Sequence, residues 1–338
     1  MVFVSILFPI ANIFFFNILP KIPTLVFKPV CSDEEYEQIA ESFHTALKGF
    51  GTDENRIIKE ISSITNDQRQ IVKEKYLLMY GKTLEEDLKS ELKGDFEDMI
   101  IALLRPRFEY EAECLRDAIK GFGTRENVII ELLCTKESEE IEKLKQTYNE
   151  LFERNLEEDL ENEEGGSLGR LLRSIATGLR PSHSDVDLSL AQEEAQKLYD
   201  AGEGKSGTDE SEFVRILASR SFSQLKATFD EYTNICGKDI EESVKSETHG
   251  SMESAFKAIV RNVRNRPAYF ARQINKCIKG IGTKEKDLIR IIVSRCEIDM
   301  GDIKREYNEI FGESLFEELK KELRGDFEDI VLALVGTD

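Results

Sequence analysis

The chain has 338 residues, and its 66 Asp and Glu residues outnumber its 46 Lys and Arg residues, so its formal net charge is −20. Such an acidic chain is ill suited to nucleic acid, because binding to phosphates depends on Lys and Arg, and it can bind an anionic membrane only through a bridging cation. Its six cysteines are scattered without a Cys-x-x-Cys pair and its three histidines are not clustered, which indicates reduced thiols and gives no zinc pattern.

Residues 1–31 form a hydrophobic N-terminal extension that differs from the rest of the chain. Fourteen of the eighteen residues in the range 2–19 are apolar. The segment has neither the basic start nor the small-residue cleavage site of a secretory signal, and Pro9 interrupts it as a membrane span. We expect an apolar arm, with residues 19–30 packed on the rest of the chain and residues 1–18 meeting a second molecule in a homo-oligomer or a membrane. The alternatives are a targeting signal or anchor, an unusual start site and a partner-binding segment.

The first unit of the chain reads as five helices. Ser32 can cap a helix over residues 33–48, and Gly49 and Gly51 end that helix because glycine accepts left-handed backbone angles. Thr52 then serves as the N-cap of a second helix. Further helices are predicted over the ranges 67–80, 83–92 and 95–104.

The turn that ends the first helix recurs along the chain. Gly-x-Gly-Thr occupies residues 49–52, 121–124 and 280–283, and a looser copy fills residues 204–208. A glutamate stands forty residues after the last glycine of each turn. These glutamates are Glu91, Glu163, Glu247 and Glu322. Repetition with a period of 72 to 84 residues predicts small helical units stacked on one another, which is an all-α fold.

The repetition also sets the predicted boundaries. The units cover residues 32–104, 105–180, 189–264 and 265–338, each with five helices. The polar, turn-rich segment 181–188 lies between the second and third units and is predicted to be a linker. Almost no stretch alternates with the period of a β-strand, which supports the all-α assignment.

Each repeated turn can supply oxygen ligands for a cation. A loop between two helices leaves backbone carbonyls without helical partners, and flanking glycines let several carbonyls turn toward one point. Calcium accepts about six to eight oxygen ligands, and the glutamate forty residues on can add the carboxylate it needs. The sequence contains no Asp-x-Asp-x-Asp-Gly loop of an EF-hand. The alternative is that the turns only end helices and the glutamates are solvated surface charges.

The turns resemble the endonexin repeat of the annexins. The matching segments are Lys48-Gly-Phe-Gly-Thr-Asp-Glu, Lys120-Gly-Phe-Gly-Thr, Lys279-Gly-Ile-Gly-Thr and the variant Ala201-Gly-Glu-Gly-Lys-Ser-Gly-Thr. The resemblance covers the chain from Ser32 to the C-terminus. It implies a curved disc of four five-helix repeats with right-handed superhelical turns, whose convex face carries calcium sites and docks reversibly onto anionic phospholipid.

The resemblance also implies a cytoplasmic protein that associates reversibly with membranes. Secretion or surface exposure is not supported by a typical signal peptide. Annexin tails generally run along the concave face, opposite the calcium sites. Residues 19–30 are therefore expected to lie on that face and to brace repeats one and four.

The resemblance assigns three backbone carbonyls and one glutamate to each calcium site. In chain order these are Leu47, Gly49 and Gly51 with Glu91; Ile119, Gly121 and Gly123 with Glu163; Gly202, Lys205 and Gly207 with Glu247; and Ile278, Gly280 and Gly282 with Glu322. The membrane-facing loop tips are Phe50, Phe122, Ser206 and Ile281. The apolar tips either touch the lipid interface or fold back as helix-end packing. Insertion at the third loop should be shallow, because the chain has no tryptophan.

One segment departs from the family pattern, and one pair of residues matches a further feature of the family. Repeat two has Glu164-Gly-Gly-Ser-Leu in place of the Lys/Arg-Gly-Asp-Phe segment, so we expect a weaker calcium site there than in repeats one and four. Glu131 and Arg290 match positions that line a polar central channel in annexins. An ion pair between repeats is the alternative to a transport role for these two residues.

An enzymatic function is not expected. Gly165-Gly-Ser-Leu-Gly fits the Gly-x-Ser-x-Gly pattern of a nucleophile elbow, but helical sequence precedes it where that motif needs a strand. The main competing function is a calcium-independent helical scaffold that binds other proteins. Calcium-dependent sedimentation with phosphatidylserine vesicles distinguishes the two functions.

Overall fold

The structure, a computed structural model, describes residues 21–25, 32–49, 51–120, 123–163, 165–182, 185–204, 209–280 and 282–337. The regular secondary structure in these ranges consists of nineteen α-helices and no strand. The predicted all-α fold is therefore confirmed. The five cysteines in the described part of the chain are free thiols, as the sequence indicates.

Each repeat contributes its helices in the same order. Repeat one contains α1 (Asp33–Ala46), α2 (Glu54–Ile61), α3 (Asn66–Tyr80), α4 (Leu84–Glu91) and α5 (Gly94–Leu104). Repeat two contains α6 (Arg107–Lys120), α7 (Glu126–Cys134), α8 (Ser138–Phe152), α9 (Leu156–Glu163) and α10 (Gly166–Ala176). Repeat three contains α11 (Leu188–Ala201), α12 (Glu210–Ser219), α13 (Phe222–Cys236), α14 (Ile240–Glu247) and the first half of α15 (Gly250–Ile278). Repeat four contains the second half of α15, α16 (Glu285–Arg295), α17 (Met300–Phe311), α18 (Leu315–Glu322) and α19 (Gly325–Val335).

The long helix α15 joins repeats three and four and is broken at Asn265. This residue has φ −158° and ψ 94°, and its Oδ1 atom accepts a hydrogen bond from the backbone N–H of Ala268 at 3.0 Å. Pro267 has no N–H and fits the first turn of the helix that follows. The break separates the fifth helix of repeat three from the first helix of repeat four, so the described chain holds five helical stretches in each repeat.

The predicted helix ends in repeat one are confirmed at Ser32 and corrected at two places. The side chain of Ser32 caps α1 as expected, in a capping box with Glu35. Helix α1 ends at Ala46, two residues before the predicted end. The N-cap of α2 is Asp53 and not Thr52, because the Asp53 carboxylate accepts a hydrogen bond from the N–H of Arg56 at 3.1 Å. Aspartate is as good an N-cap as threonine, so the motif left both choices open.

One continuous apolar core runs through the four repeats. Repeat one packs on repeat four through the contacts of α5 with α16 and α19, and repeat two packs on repeat three through α10 and α12. A tyrosine of the third helix is buried at the same place in every repeat. These tyrosines are Tyr76, Tyr148, Tyr232 and Tyr307. Stacked units that share a core explain how four short helical repeats form one stable body.

The described part of the N-terminal arm, residues 21–25, is bound to repeat four. The N–H of Gly301 donates to the carbonyl of Ile22 at 2.7 Å, and the N–H groups of Thr24 and Leu25 both donate to the carbonyl of Cys296 at 3.0 Å. Leu25 is buried in the common core. The expected packing of the arm is therefore observed on repeat four, whereas the remainder of the arm, with the contact expected on repeat one, lies outside the described residues.

Candidate metal centres

The four repeated turns close with the same hydrogen bond. In each repeat a backbone N–H next to the second helix donates to a carbonyl near the end of the first helix. The pairs are Asp53 to Ala46 at 2.9 Å, Arg125 to Ala118 at 3.0 Å, Asp209 to Ala201 at 2.7 Å and Lys284 to Cys277 at 2.9 Å. The third turn is one residue longer than the others and keeps the bond. The described ends of the turn are therefore closed in the same way in all four repeats.

Backbone angles require glycine in the first, second and fourth of these loops. Gly49 and Gly51 have φ of +120° and +91°, and Gly123 and Gly282 have φ of +86° and +81°. A residue with a Cβ atom is strained in this region. Since the first helix ends just before these glycines, its last carbonyls have no intrahelical partner. The loops can thus offer backbone carbonyl oxygens, which are calcium ligands.

Each predicted acidic ligand is the last residue of the fourth helix of its repeat. Helices α4, α9, α14 and α18 end at Glu91, Glu163, Glu247 and Glu322. A glycine with φ between +63° and +67° follows three residues later and begins the fifth helix in every repeat. Glu91 and Glu322 are exposed and Glu247 is half-buried, whereas the side chain of Glu163 lies outside the described residues.

In repeats three and four the structure brings the acid to the loop. A methyl carbon added to Gly202 would lie 3.6 Å from the Cγ atom of Glu247. In repeat four the Nζ atom of Lys279, which stands between Ile278 and Gly280, is 3.5 Å from an oxygen of Glu322. The junction between the fourth and fifth helices therefore folds back beside the loop, as the sequence predicts.

The loops share one face of the molecule, which we call the loop face. Lys89 of α4, Arg125 of the second loop and Lys286 of α16 line a single cavity of about 380 Å³, which places the loop ends of repeats one, two and four next to one another. Ser251, four residues after the third acid, donates a hydrogen bond to Glu126, two residues after the second loop's threonine. The start of the fifth helix of repeat three thus lies next to the start of the second helix of repeat two, on the same face.

The donor set of these loops suits calcium better than a softer metal. The described residues contain no cluster of three His, Cys, Asp or Glu side chains placed to hold a metal ion. A site built from backbone carbonyls and one carboxylate forms no such cluster, and oxygen-only ligands are those that calcium prefers. Gly121, Lys205 and Gly207 lie outside the described residues, as do the loop tips Phe50, Phe122, Ser206 and Ile281. Their predicted roles stay predictions.

Glu131 and Arg290 form a buried ion pair between repeats two and four. The Nε atom of Arg290 donates to one oxygen of Glu131 at 2.8 Å and a terminal nitrogen donates to the other at 3.0 Å. Burial opposes the charged state of Arg290, but Glu131 and Asp287 outweigh burial and raise its pKa. The geometry accounts for these residues as an inter-repeat contact, and a transport role stays a prediction.

A second buried network, next to that pair, was not identified from sequence. The Lys136 ammonium lies 2.8 Å from the carboxylate of Glu111, which is almost fully buried, and Arg107 pairs with Glu140 at 2.5 Å. Burial would raise the pKa of Glu140, but Lys136, Arg107 and Arg266 outweigh it and lower the pKa to about 2. Glu111 carries no sequence signal of its role, because an acid in an amphipathic helix is usually exposed.

No helix in the described ranges is both long enough and apolar enough to cross a lipid bilayer. The fold and the loops define a class of protein: four stacked all-helical repeats, each with a loop closed by the same hydrogen bond and a glutamate at the end of its fourth helix. The sequence model of the Annexin family matches the chain four times, over residues 38–103, 110–175, 193–259 and 269–334. The chain belongs to the annexin family.

Relatives and solved structures agree with this assignment. Annexin A13 of Homo sapiens is 44% identical over 301 residues, which cover 89% of this chain and 95% of that relative. Among solved structures, annexin III has a TM-score of 0.90 at 40% identity and covers 94% of this chain and 98% of its own. A calcium-bound annexin named (Sm)1 has a TM-score of 0.82 at 29% identity, with 94% of this chain and 93% of that one covered. Calcium-dependent phospholipid binding is the general property of the family.

Proposed function

We propose that this chain binds anionic phospholipid membranes in a calcium-dependent manner through the four loops of its loop face. The observation that carries the proposal is the fourfold identity of the site: the same loop-closing hydrogen bond and the same helix-terminal glutamate occur in every repeat. Chance placement of helix stops explains one such loop but gives no reason for an acid in register at all four. The coordinating residues are those assigned above by resemblance.

Charge explains why such a protein would need calcium. At a net charge of −20 the chain repels an anionic bilayer, and exposed glutamates stand at the loops themselves. A bound calcium ion would reverse the local sign, while the loop carbonyls and the glutamate leave part of its coordination shell for a lipid phosphate. Membrane attachment would then be reversible, because removal of calcium restores the repulsion. We expect a cytoplasmic protein that associates reversibly with membranes.

The described part of the arm, residues 21–25, lies at the ends of helices α16 and α19 that are remote from the fourth loop. Helix α16 begins next to the fourth loop and runs about 16 Å before it ends beside Cys296, where the arm is bound. Helix α19 begins beside the fourth site and also ends at the arm, since the carbonyl of Leu334 accepts a hydrogen bond from Thr24 at 2.5 Å. The described part of the arm is therefore one helix length away from the proposed membrane surface.

Vesicle sedimentation tests the proposal. The full chain should pellet with phosphatidylserine vesicles in the presence of calcium and stay in solution when a chelator is added. It should not pellet with phosphatidylcholine vesicles under either condition. Pelleting that is the same with calcium and with chelator would favour the calcium-independent scaffold instead.

Deleting residues 1–18 should leave the calcium-dependent pelleting intact and change the oligomeric state or solubility, which separates the arm from the membrane function.

A further inference from the structure

Repeat four has a lysine beside its acid. Lys279 lies in the fourth loop, and its Nζ atom contacts two carboxylates of α18: Glu318, which is almost fully buried, and Glu322 at 3.5 Å. Its backbone lies between Ile278 and Gly280, two residues whose carbonyls are the assigned ligands. The lysine side chain thus spans the gap between the carbonyl side and the carboxylate side of the site.

The first repeat has the same loop lysine without this contact. Lys48 stands at the position of Lys279, but within the described residues it makes no ion pair with Glu91. Glu91 has a different neighbour four residues earlier: Asp87, one methylene shorter than Glu318. The carboxylate of Asp87 accepts a hydrogen bond from the hydroxyl of Tyr76 at 2.7 Å and makes no ion pair with Lys48 in the described part of the chain.

Repeats two and three also lack an acid that is available to the loop at this position. In repeat two the acid is Asp159, which accepts hydrogen bonds from Tyr148 at 2.7 Å and from Arg116 at 2.8 Å. In repeat three the position is Ser243. In repeat four the corresponding tyrosine, Tyr307, donates instead to Asn275 at 2.9 Å. Among the residues that the structure describes, Glu318 therefore has no hydrogen bond to the tyrosine and contacts two lysines, Lys279 of the loop and Lys321 of its own helix at 2.6 Å.

We propose that Lys279 is an intramolecular counterion of the fourth calcium site, which neutralises Glu322 in the absence of calcium and raises the calcium concentration that the site requires. The proposal rests on the proposed function. Calcium has to replace the ammonium group at Glu322, while Glu318 keeps Lys279 close to the bound ion. A positive charge that stays this near disfavours a divalent cation. Repeat one has no such counterion, so the two otherwise similar sites should differ in affinity.

Variants with a single intact site make the difference measurable. The substitutions Glu91→Gln, Glu163→Gln and Glu247→Gln leave repeat four as the only complete site, and calorimetric titration of the full chain with calcium then gives its dissociation constant. Adding Lys279→Gln should lower that constant about two- to fivefold, the range expected for one partly exposed ion pair. Lys279→Arg, which keeps the charge, should leave it unchanged.

The matched control places the same change in repeat one. In a chain with Glu163→Gln, Glu247→Gln and Glu322→Gln, adding Lys48→Gln should change the dissociation constant less than Lys279→Gln does in repeat four. Melting gives a second readout: Lys279→Gln should lower the melting temperature in chelator but increase the rise that calcium produces. A purely structural lysine would lower both melting temperatures equally.

The outcomes separate this inference from the proposed function. If Lys279→Gln leaves the dissociation constant of the fourth site unchanged, or weakens calcium binding, the counterion role is overturned and the calcium site stands. If instead adding Glu322→Gln to the chain with only the fourth site intact does not alter calcium binding, the acidic ligand of that site is wrong, and the counterion role falls with it.

Discussion

The loop face and the central interfaces of this annexin use charged residues in opposite ways. At the loops the acids are largely exposed, and those at Glu91 and Glu322 end helices beside glycines with positive φ. At the centre the acids are buried and each is matched by a cation, as Glu131 is by Arg290 and Glu111 by Lys136. The two regions therefore have different roles in the molecule. Charges at the loops are available to a ligand, whereas the central pairs are buried in the fold, and one of them, Glu131–Arg290, joins repeats two and four.

The largest effect is expected from removal of the buried ion pair between Glu131 and Arg290. Glu131→Ala should cost about 4 kcal/mol of unfolding free energy, because it leaves the buried Arg290 guanidinium with only Asp287 as a charged partner. Urea unfolding measures the loss, and calcium titration of the folded variant should show the loop sites unchanged. An exposed loop acid, changed by Glu91→Gln, is the control and should cost little stability. Similar costs for the two variants would contradict the division between the faces.

The second test uses pH on the buried network. The pKa of Glu140 is lowered to about 2 in the folded chain, so its ionised form stabilises the fold above its unfolded pKa of about 4.5 and that contribution is lost as pH falls toward 2. Glu140→Gln should therefore cost about 2 to 3 kcal/mol at pH 7 and progressively less below pH 4.5. Urea unfolding at several pH values checks the trend, with its exposed neighbour Glu139→Gln as a control. A cost that is independent of pH would show that the charge of Glu140 is not the cause.

The third test concerns the arm. A Cβ atom at Gly301 would lie 2.5 Å from the Cγ2 atom of Ile22 and 2.8 Å from its carbonyl oxygen, so Gly301→Ala cannot coexist with the bound arm. We expect a loss of about 2 kcal/mol in the full chain, typical of overpacking. In a chain without residues 1–25 the same substitution should stabilise helix α17, because alanine is the better helix former. A loss of equal size in both chains would mean that Gly301 serves something other than the arm.

The smallest expected effect lies among the four sites themselves. Repeats one and four keep the Glu-Leu-Lys/Arg-Gly-Asp-Phe context that repeat two lacks, and repeat four carries its own counterion. Crystals soaked at increasing calcium concentrations should therefore show an ion first at Glu91, next at Glu322 and later at Glu163. Occupancy beside Glu163 before the other two would contradict the ranking.

How much of the fold and of the candidate sites could be predicted from sequence depends on how far apart in the chain the interacting residues lie. The loops and their glutamates were predictable, because glycine, threonine and the acid recur at constant spacing in four copies. The pair Glu131–Arg290 joins residues 159 positions apart, and only the resemblance to annexins pointed to it. The contact between Lys279 and Glu318 was not predicted at all. It depends on the extra methylene of Glu318 relative to Asp87 and on the hydrogen bond of Tyr307 to Asn275. A pattern of residue types shows neither feature.

The central claim is that the helix-terminal glutamates of the loop face hold the calcium that attaches the protein to membranes. The double variant Glu91→Gln, Glu322→Gln tests it against a matched control, Glu74→Gln, Glu309→Gln, which removes two exposed glutamates of the third helices α3 and α17. Calcium-dependent sedimentation with phosphatidylserine vesicles is the measurement. We predict that the loop variant needs about tenfold or more calcium for half-maximal pelleting while it melts like the unmodified chain in chelator, and that the control pellets normally. An unchanged calcium dependence in the loop variant would contradict the account.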